Sequence, residues 1–250
     1  HLDAILEHLV YVTQFEIRFL AIAIPPRSSK SLLASVIWPA WHWLQSPETQ
    51  FICASYTTKL SANLSGLSRR LIESSWYQQF YGHEYYLLPD DNKREMYRNS
   101  KGGYRISTSV KGGVSTGFGG DVQVMDDPLS ADDARSDNET NNCLVWHDGT
   151  FRSRVNDPNH SRKVLIMQRL RDNDLFGHLM EREGHRWCQF VLPMEFDKKR
   201  ICITYPNDGN GVKPDAKAIF TDPRTEDGEL LNPQRFNAET CRDEKEVLSE

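Results

Sequence analysis

The sequence predicts an α/β domain: a mainly parallel central sheet flanked by helices. Three observations predict it. Four runs of strand length are apolar on both faces: Arg18 to Ile24, Gln50 to Tyr56, Lys163 to Gln168 and Trp187 to Leu192. Such runs suit central strands covered by helices on both sides of the sheet. Helical patterns separate them, in the alternation that parallel sheets require. Polar or glycine-rich loops then follow the strands, at the edge where open α/β sheets place their ligands.

The elements follow in order. Leu2, Ile5, Leu6, Leu9 and Val10 recur at helical spacing and predict an amphipathic helix. Thr13 to Glu16 is a connector to the first strand, which Pro25 and Pro26 end because neither can donate a ladder hydrogen bond. Arg27 to Ser31 is a polar loop, and Leu32 to Leu44 a helix with a kink expected at Pro39. After the second strand, Thr57 or Thr58 caps a helix reaching about Glu73. Trp76 to Arg98 reads as aromatic and irregular. Tyr104 to Val110 alternates as a strand, and Lys111 to Gly120, with five glycines, is a loop. Asp121 to Met125 is a short strand ending in Asp126-Asp127-Pro128. Residues 129–142 are acidic and polar, Leu144 to Arg154 looks helical, and Asp172 to Asp174 caps a helix from Leu175 to Glu181. Beyond residue 196 prolines and glycines multiply in a polar background, so a core over 1–196 and a lid or linker over 197–250 are expected.

Composition narrows the function. The 250 residues carry 30 Lys and Arg against 35 Asp and Glu, a net charge of −5. This balance argues against indiscriminate coating of nucleic acid and leaves room for a local basic patch. No window approaches the roughly 18 uninterrupted apolar residues of a membrane helix. The five cysteines form no CxxC pair, so reduced thiols are expected rather than a disulfide framework. The eight histidines show no metal spacing, and no zinc is expected. The chain opens at His1 with a helical pattern already running and no signal peptide, as a fragment of a longer protein would.

Three constellations carry chemistry. Ile24 to Ser31 combines a strand, a tight loop, Lys-Ser and a helix, the layout of a phosphate-binding loop. A helix N-terminus offers free N–H donors and a positive dipole end to a phosphate. Lys30 is then placed on the β- and γ-phosphates, the Ser31 hydroxyl on Mg²⁺, and Arg27 as a bidentate donor to the γ-phosphate, with Ser28 and Ser29 lining the loop. The glycine pattern GxxxxGK[ST] is not met, and a serine-rich turn with a solvated lysine accounts for the same residues. Val122 to Asp127 is an apolar strand delivering two carboxylates, Asp126 for Mg²⁺ and Asp127 for the attacking water; an ordinary Asp-Asp-Pro turn is the alternative. Gln168 leaves its strand where a γ-phosphate sensor sits, or where an exit loop is merely capped. Gln14, before the first strand, is a candidate adenine reader. Lys93, Arg94, Arg98, Lys101, Arg105 and Lys111 form a basic stretch, read as a solvated face or as DNA phosphate contacts. Trp38, Trp41 and Trp43 at helical spacing read as core packing.

The order of these constellations is that of motor-type P-loop ATPases. The stretches EIRFLAIAIPPRSSKS, FICASYTTKLS, TGFGGDVQVMDDP, MQRLRDNDLFGHLM and, more loosely, WCQFVLPMEF with DGELLNPQRF resemble the N-terminal ATPase domain of the large terminase subunit of tailed bacteriophages. The resemblance implies a P-loop NTPase of the RecA-like, additional-strand class. It places Arg27, Lys30 and Ser31 on the Walker A motif, Asp126 and Asp127 on Walker B, and Gln168 with Arg169 on the coupling motif. It implies ATP and Mg²⁺ as substrate and cofactor. Double-stranded DNA, a viral portal protein, a small terminase subunit and further copies in a ring are the implied partners, in the host cytoplasm. This chain departs from the family at Ser28-Ser29, where His-Gly is usual, at Phe118, where an arginine often stands, and at Asp127, where glutamate is common. The resemblance ends at the linker, so the fragment is expected to bind ATP and Mg²⁺ without cutting DNA. Another P-loop DNA motor, or a non-hydrolysing nucleotide-binding module, remains an alternative.

Overall fold

A computed structural model describes residues 1–112, 117–239 and 241. Helix α1 (Leu2–Thr13) leads into β1 (Phe19–Ala23), all five residues of which are buried. A π-helical stretch (Leu32–Ile37) continues into α2 (Trp38–Gln45), followed by β2 (Phe51–Ser55) and α3 (Thr58–Glu73). The Thr57 hydroxyl caps α3, accepting from Leu60 N at 3.3 Å. The segment read as irregular is ordered: a short helix α4 (Ser75–Tyr81) and an antiparallel hairpin of β3 (Leu87–Asn92) and β4 (Met96–Asn99). Strands β5 (Tyr104–Ser109) and β6 (Val122–Asp126) come next. A single 3₁₀ turn (Asp133–Arg135) precedes α5 (Asp137–Trp146), which runs on through a π-helical turn (His147–Phe151). This helix starts seven residues before the apolar pattern does, because the Ser136 hydroxyl caps it by accepting from Glu139 N. Then follow β7 (Arg162–Met167), α6 (Leu175–Glu183), β8 (Cys188–Val191) and the two-residue strands β9 (Ile203–Thr204) and β10 (Phe220–Thr221).

Eight strands form one sheet in the order β3-β4-β5-β2-β6-β7-β1-β8. All neighbours from β5 to β8 in that order are parallel, while β4 pairs antiparallel with both β3 and β5. Strand β7 therefore separates β1 from β6, with Ile166 opposite Ile22 on one side and Asp126 on the other. A strand inserted between the loop-bearing and the acid-bearing strand defines the RecA-like, additional-strand arrangement. Alternate residues of each strand feed opposite layers. Leu20, Ile22, Val124 and Val164 pack with Ile5, Leu9, Trp38 and Trp43, while Phe19, Ala21, Met125 and Leu165 pack with Trp146, Leu175 and Phe176.

The helix irregularity falls one turn before Pro39 rather than at it. Pro39 has no N–H, so a carbonyl in the preceding turn goes without its helical partner. The Ser35 carbonyl accepts from the buried Arg105 guanidinium instead. Arg105 thus lies in the core, at 1% exposure, and not on a solvated basic face. Among the described residues from 197 onward, the chain lies along α1, β1 and β8. Arg18 N donates to Asn207 O, and the Phe220 ring meets Phe190 at 5.2 Å. Buried His8 donates Nδ1–H to Ala4 O, which leaves Nε2 to accept the Thr204 hydroxyl at 2.7 Å. All five cysteines are buried and unbridged. No helix of the described residues is long and apolar enough to cross a membrane.

Candidate active site

The chain leaves β1 at Ala23 and turns through two prolines into a helix that is unbroken over 30–45. Between them Arg27 and Ser29 take positive φ, 58° and 62°. Left-handed residues alternating with ordinary ones turn successive N–H groups toward one concavity, the nest that binds anions. Ser29 occupies a conformation that glycine adopts without steric cost, so the missing loop glycine is a local strain rather than a different loop. The Ser28 hydroxyl donates to Pro25 O at 2.6 Å, and Leu33 N closes the first helical turn on Ser29 O at 3.1 Å.

Strand β6 ends on Asp126, 3% exposed. Its carboxylate receives the Ser31 hydroxyl at 2.7 Å on one oxygen and the Ser35 hydroxyl at 2.5 Å on the other. Burial pushes the Asp126 carboxyl up to about 6, the neighbouring Asp127 adds to the push, and the two hydroxyls and Lys30 oppose it. The next residue, Asp127, has φ 45°. Its backbone is held on both sides, N donating to Ile166 O at 2.8 Å and O accepting from Tyr56 N at 3.2 Å. One carboxylate oxygen of Asp127 pairs with Lys30 Nζ at 3.3 Å, and the other accepts from Gln168 N at 3.3 Å. Lys30 is itself 6% exposed. Three of the four positive-φ non-glycine residues among those described, Arg27, Ser29 and Asp127, belong to this one place. Strained backbone gathers where function constrains geometry.

The fold thus brings together Lys30, Ser31, Asp126, Asp127 and the Gln168 backbone from three strand ends. Arg27 is exposed and lines a small cleft with Pro26, Met194, Asn232 and Phe236. Gln14 is not part of the group: it ends α1 and is exposed, near the start of β1. Five strand residues, about 16 Å at 3.3 Å each, separate that edge from the loop. Arg169 turns to a structural task, pairing with the fully buried Asp174 at 3.0 Å. Asp174 also caps α6, accepting from Gly177 N at 2.9 Å. The sequence reading missed Ser35. Its signal was its spacing, one helical turn after Ser31 and hence on the same face. Thr116, in the TGFG stretch, and the tail after Cys241 lie outside the described residues; Phe118 packs edge-on to Tyr104 at 5.8 Å.

The donor set fits a magnesium ion. A buried carboxylate and a hydroxyl are hard oxygen ligands, and Mg²⁺ takes one or two of these together with substrate phosphates and water. Among the described residues no cluster of three or more His, Cys, Asp or Glu side chains is set to hold a metal unaided. Ser31 and Asp126 would hold the ion, beside the loop.

No protein-family model and no curated protein matches the chain. Among solved structures it is similar to the HK97 bacteriophage large terminase, at 14% identity and a TM-score of 0.51 over 77% of this chain. The chain spans 38% of the length of that protein. The two share the fold and very little sequence. Topology, strand order and this likeness agree that the chain has a large-terminase-like fold of the RecA-like P-loop class.

Proposed function

We propose that the chain is the ATP-hydrolysing motor domain of a viral DNA-packaging terminase, coupling hydrolysis to movement of double-stranded DNA into a procapsid. One observation carries this reading: the loop lysine and loop serine meet two consecutive carboxylates across an intervening strand. In the reaction, the oxygen of a water molecule bonds to the γ-phosphorus as the bond from that phosphorus to the β,γ-bridging oxygen breaks, giving ADP and phosphate. Asp127 accepts the water proton. Lys30 and the loop N–H groups meet the phosphate oxygens, where charge accumulates in the transition state. Arg27 lies at the loop mouth to meet the γ-phosphate, and Gln168, whose N–H already holds Asp127, reports the state of that phosphate to the coupling segment. Ser31 and Asp126 would hold a magnesium ion, whose charge would help neutralise the phosphates. Portal protein, small terminase subunit and neighbouring copies in a ring are the proposed partners, in the host cytoplasm.

The test is ATP turnover with and without duplex DNA. Lys30→Ala removes a transition-state contact and should lower turnover by about 10²–10³-fold with the fold intact by circular dichroism. Asp127→Asn should keep nucleotide affinity and lose turnover, because an amide accepts no proton. Strand separation by the wild-type chain would point to a helicase, and nucleotide binding without turnover would make it a binding module.

A further inference from the structure

At the sheet edge opposite the loop, where β1 and β7 begin, the surface opens into a cavity of about 190 Å³. Its lining is cationic: Arg18, Arg152, Lys163 and Arg186, with Glu183 the one acid among them. Four positive charges against one leave +3. Glu183 is already shared, its Oε2 lying 3.1 Å from Arg152 Nη2 and 3.5 Å from Arg186 Nη1. Three of the cations gather around the Phe19 ring, Arg186 at 4.7 Å, Arg18 at 5.0 Å and Lys163 at 5.8 Å from its centre. Contact with the ring offsets part of their repulsion and neutralises none of it. Arg18 donates to the carbonyls of Ser161 and Pro158, and Arg186 to that of Gly209. Lys163 Nζ has a 3.5 Å contact with Arg152 O and, among the described residues, pairs with no carboxylate.

We propose that this cavity is a binding site for a phosphoryl anion, either free phosphate or the phosphodiester of a nucleic-acid strand. A site carrying +3 over-matches a single carboxylate, and Glu183 shows how little one such group satisfies. Three guanidinium forks and an ammonium, set around one concavity, match an oxyanion with three or more oxygens. Burial first, and then the charge of Arg152, hold the Lys163 ammonium down to about 8; Glu183 opposes them, and Arg186 and Arg18 add smaller pushes in the same direction as Arg152. Asp157 and Asp208 also pull on Arg18, but Asp157 is paired with His160 at 2.6 Å and Asp208 with Lys213 at 3.8 Å. The site is independent of the proposed hydrolysis, since none of its residues belongs to the loop or to the acid pair.

Residue-resolved acylation of the whole 250-residue chain tests it. Lysines are acylated near pH 7, and labelling is read by peptide mass spectrometry in chloride, in inorganic phosphate at matched ionic strength, or with a short DNA duplex. A bound anion that raises Lys163 by one unit leaves about tenfold less free amine, so labelling there should fall about tenfold while exposed Lys198 is unchanged. Protection by phosphate assigns the free anion, and protection by duplex alone assigns the phosphodiester. Arg186→Gln should abolish the protection and Glu183→Gln should strengthen it, each checked for native circular dichroism. Equal labelling of Lys163 in all three solutions would overturn the proposal, whatever the anion does at Lys30.

Discussion

Ser29 holds a left-handed backbone that costs a residue with a Cβ about 1–2 kcal/mol. Ser29→Gly should therefore raise stability by about 1 kcal/mol, read as a higher denaturation midpoint with the slope unchanged, and turnover should be retained. A lower midpoint would mean that the hydroxyl contributes more than the strain costs. Ser35 is the second test at this scale. Its hydroxyl donates to the Asp126 carboxylate and orients it. Loss of such an orienting partner typically costs about 10- to 100-fold in metal affinity. Ser35→Ala should shift Mg²⁺ dependence of nucleotide binding by that factor while leaving metal-free nucleotide binding in place. An unshifted Mg²⁺ titration would show that Ser31 alone positions the acid.

At the scale of elements, α1, α2 and the turn before β2 are joined by one buried polar chain. Thr13 donates to Leu9 O and accepts from Trp38 Nε1, and His42 bridges Thr13 at 2.9 Å and Thr49 at 3.1 Å. Burial first, and then Arg162, hold His42 down to about 3 from the ordinary 6.5. A histidine kept neutral in the fold gives stability that is complete above about 6.5 and declines as pH falls below it, by about 1.4 kcal/mol per pH unit. Urea midpoints between pH 6 and pH 4 should fall more steeply for the wild type than for His42→Gln, by about that slope; parallel curves would mean that His42 titrates normally. Legibility at this scale followed burial. Strands β1, β2, β6 and β7 are covered on both sides and β8 on one, so their composition alone marked them. Strand β3 escaped because Pro89, Asp90 and Asp91 face solvent at the sheet edge, where a proline and charges are tolerated. The start of α5 escaped because Asp137 to Asn142 lacks apolar periodicity and depends on the Ser136 cap.

For the molecule as a whole, the core and the segment beyond residue 196 share packing: Cys202 belongs to the core cluster, and Ile219, Phe220 and Leu231 lean on it. Arg224 and Asp222 form a buried pair at 2.7 Å, and Arg224 also holds the Pro193 carbonyl. Full burial of a large apolar side chain is worth about 1.5–3 kcal/mol, and the half-buried Ile219, Phe220 and Leu231 contribute a share of that. A chain ending at residue 196 should melt well below the full chain, and equal melting temperatures would show that the segment only rests on the surface. The candidate site was legible from the order of its motifs, because Lys30, Ser31 and the two aspartates sit at strand ends that the topology must bring to one edge. The cationic cavity was not legible. Arg18, Arg152, Lys163 and Arg186 are distant along the chain, and only the register of β1 on β7, with Phe19 opposite Lys163, sets them around one ring.

The ion pair between Lys30 and Asp127 has a consequence for timing. The proposed phosphate anchor and the proposed proton acceptor hold each other at 3.3 Å. An arriving phosphate competes with Asp127 for the ammonium, and only its success leaves that carboxylate oxygen open to a water molecule. Loading and arming are then a single event. On the proposed reading the pair acts as a latch that the substrate itself must lift.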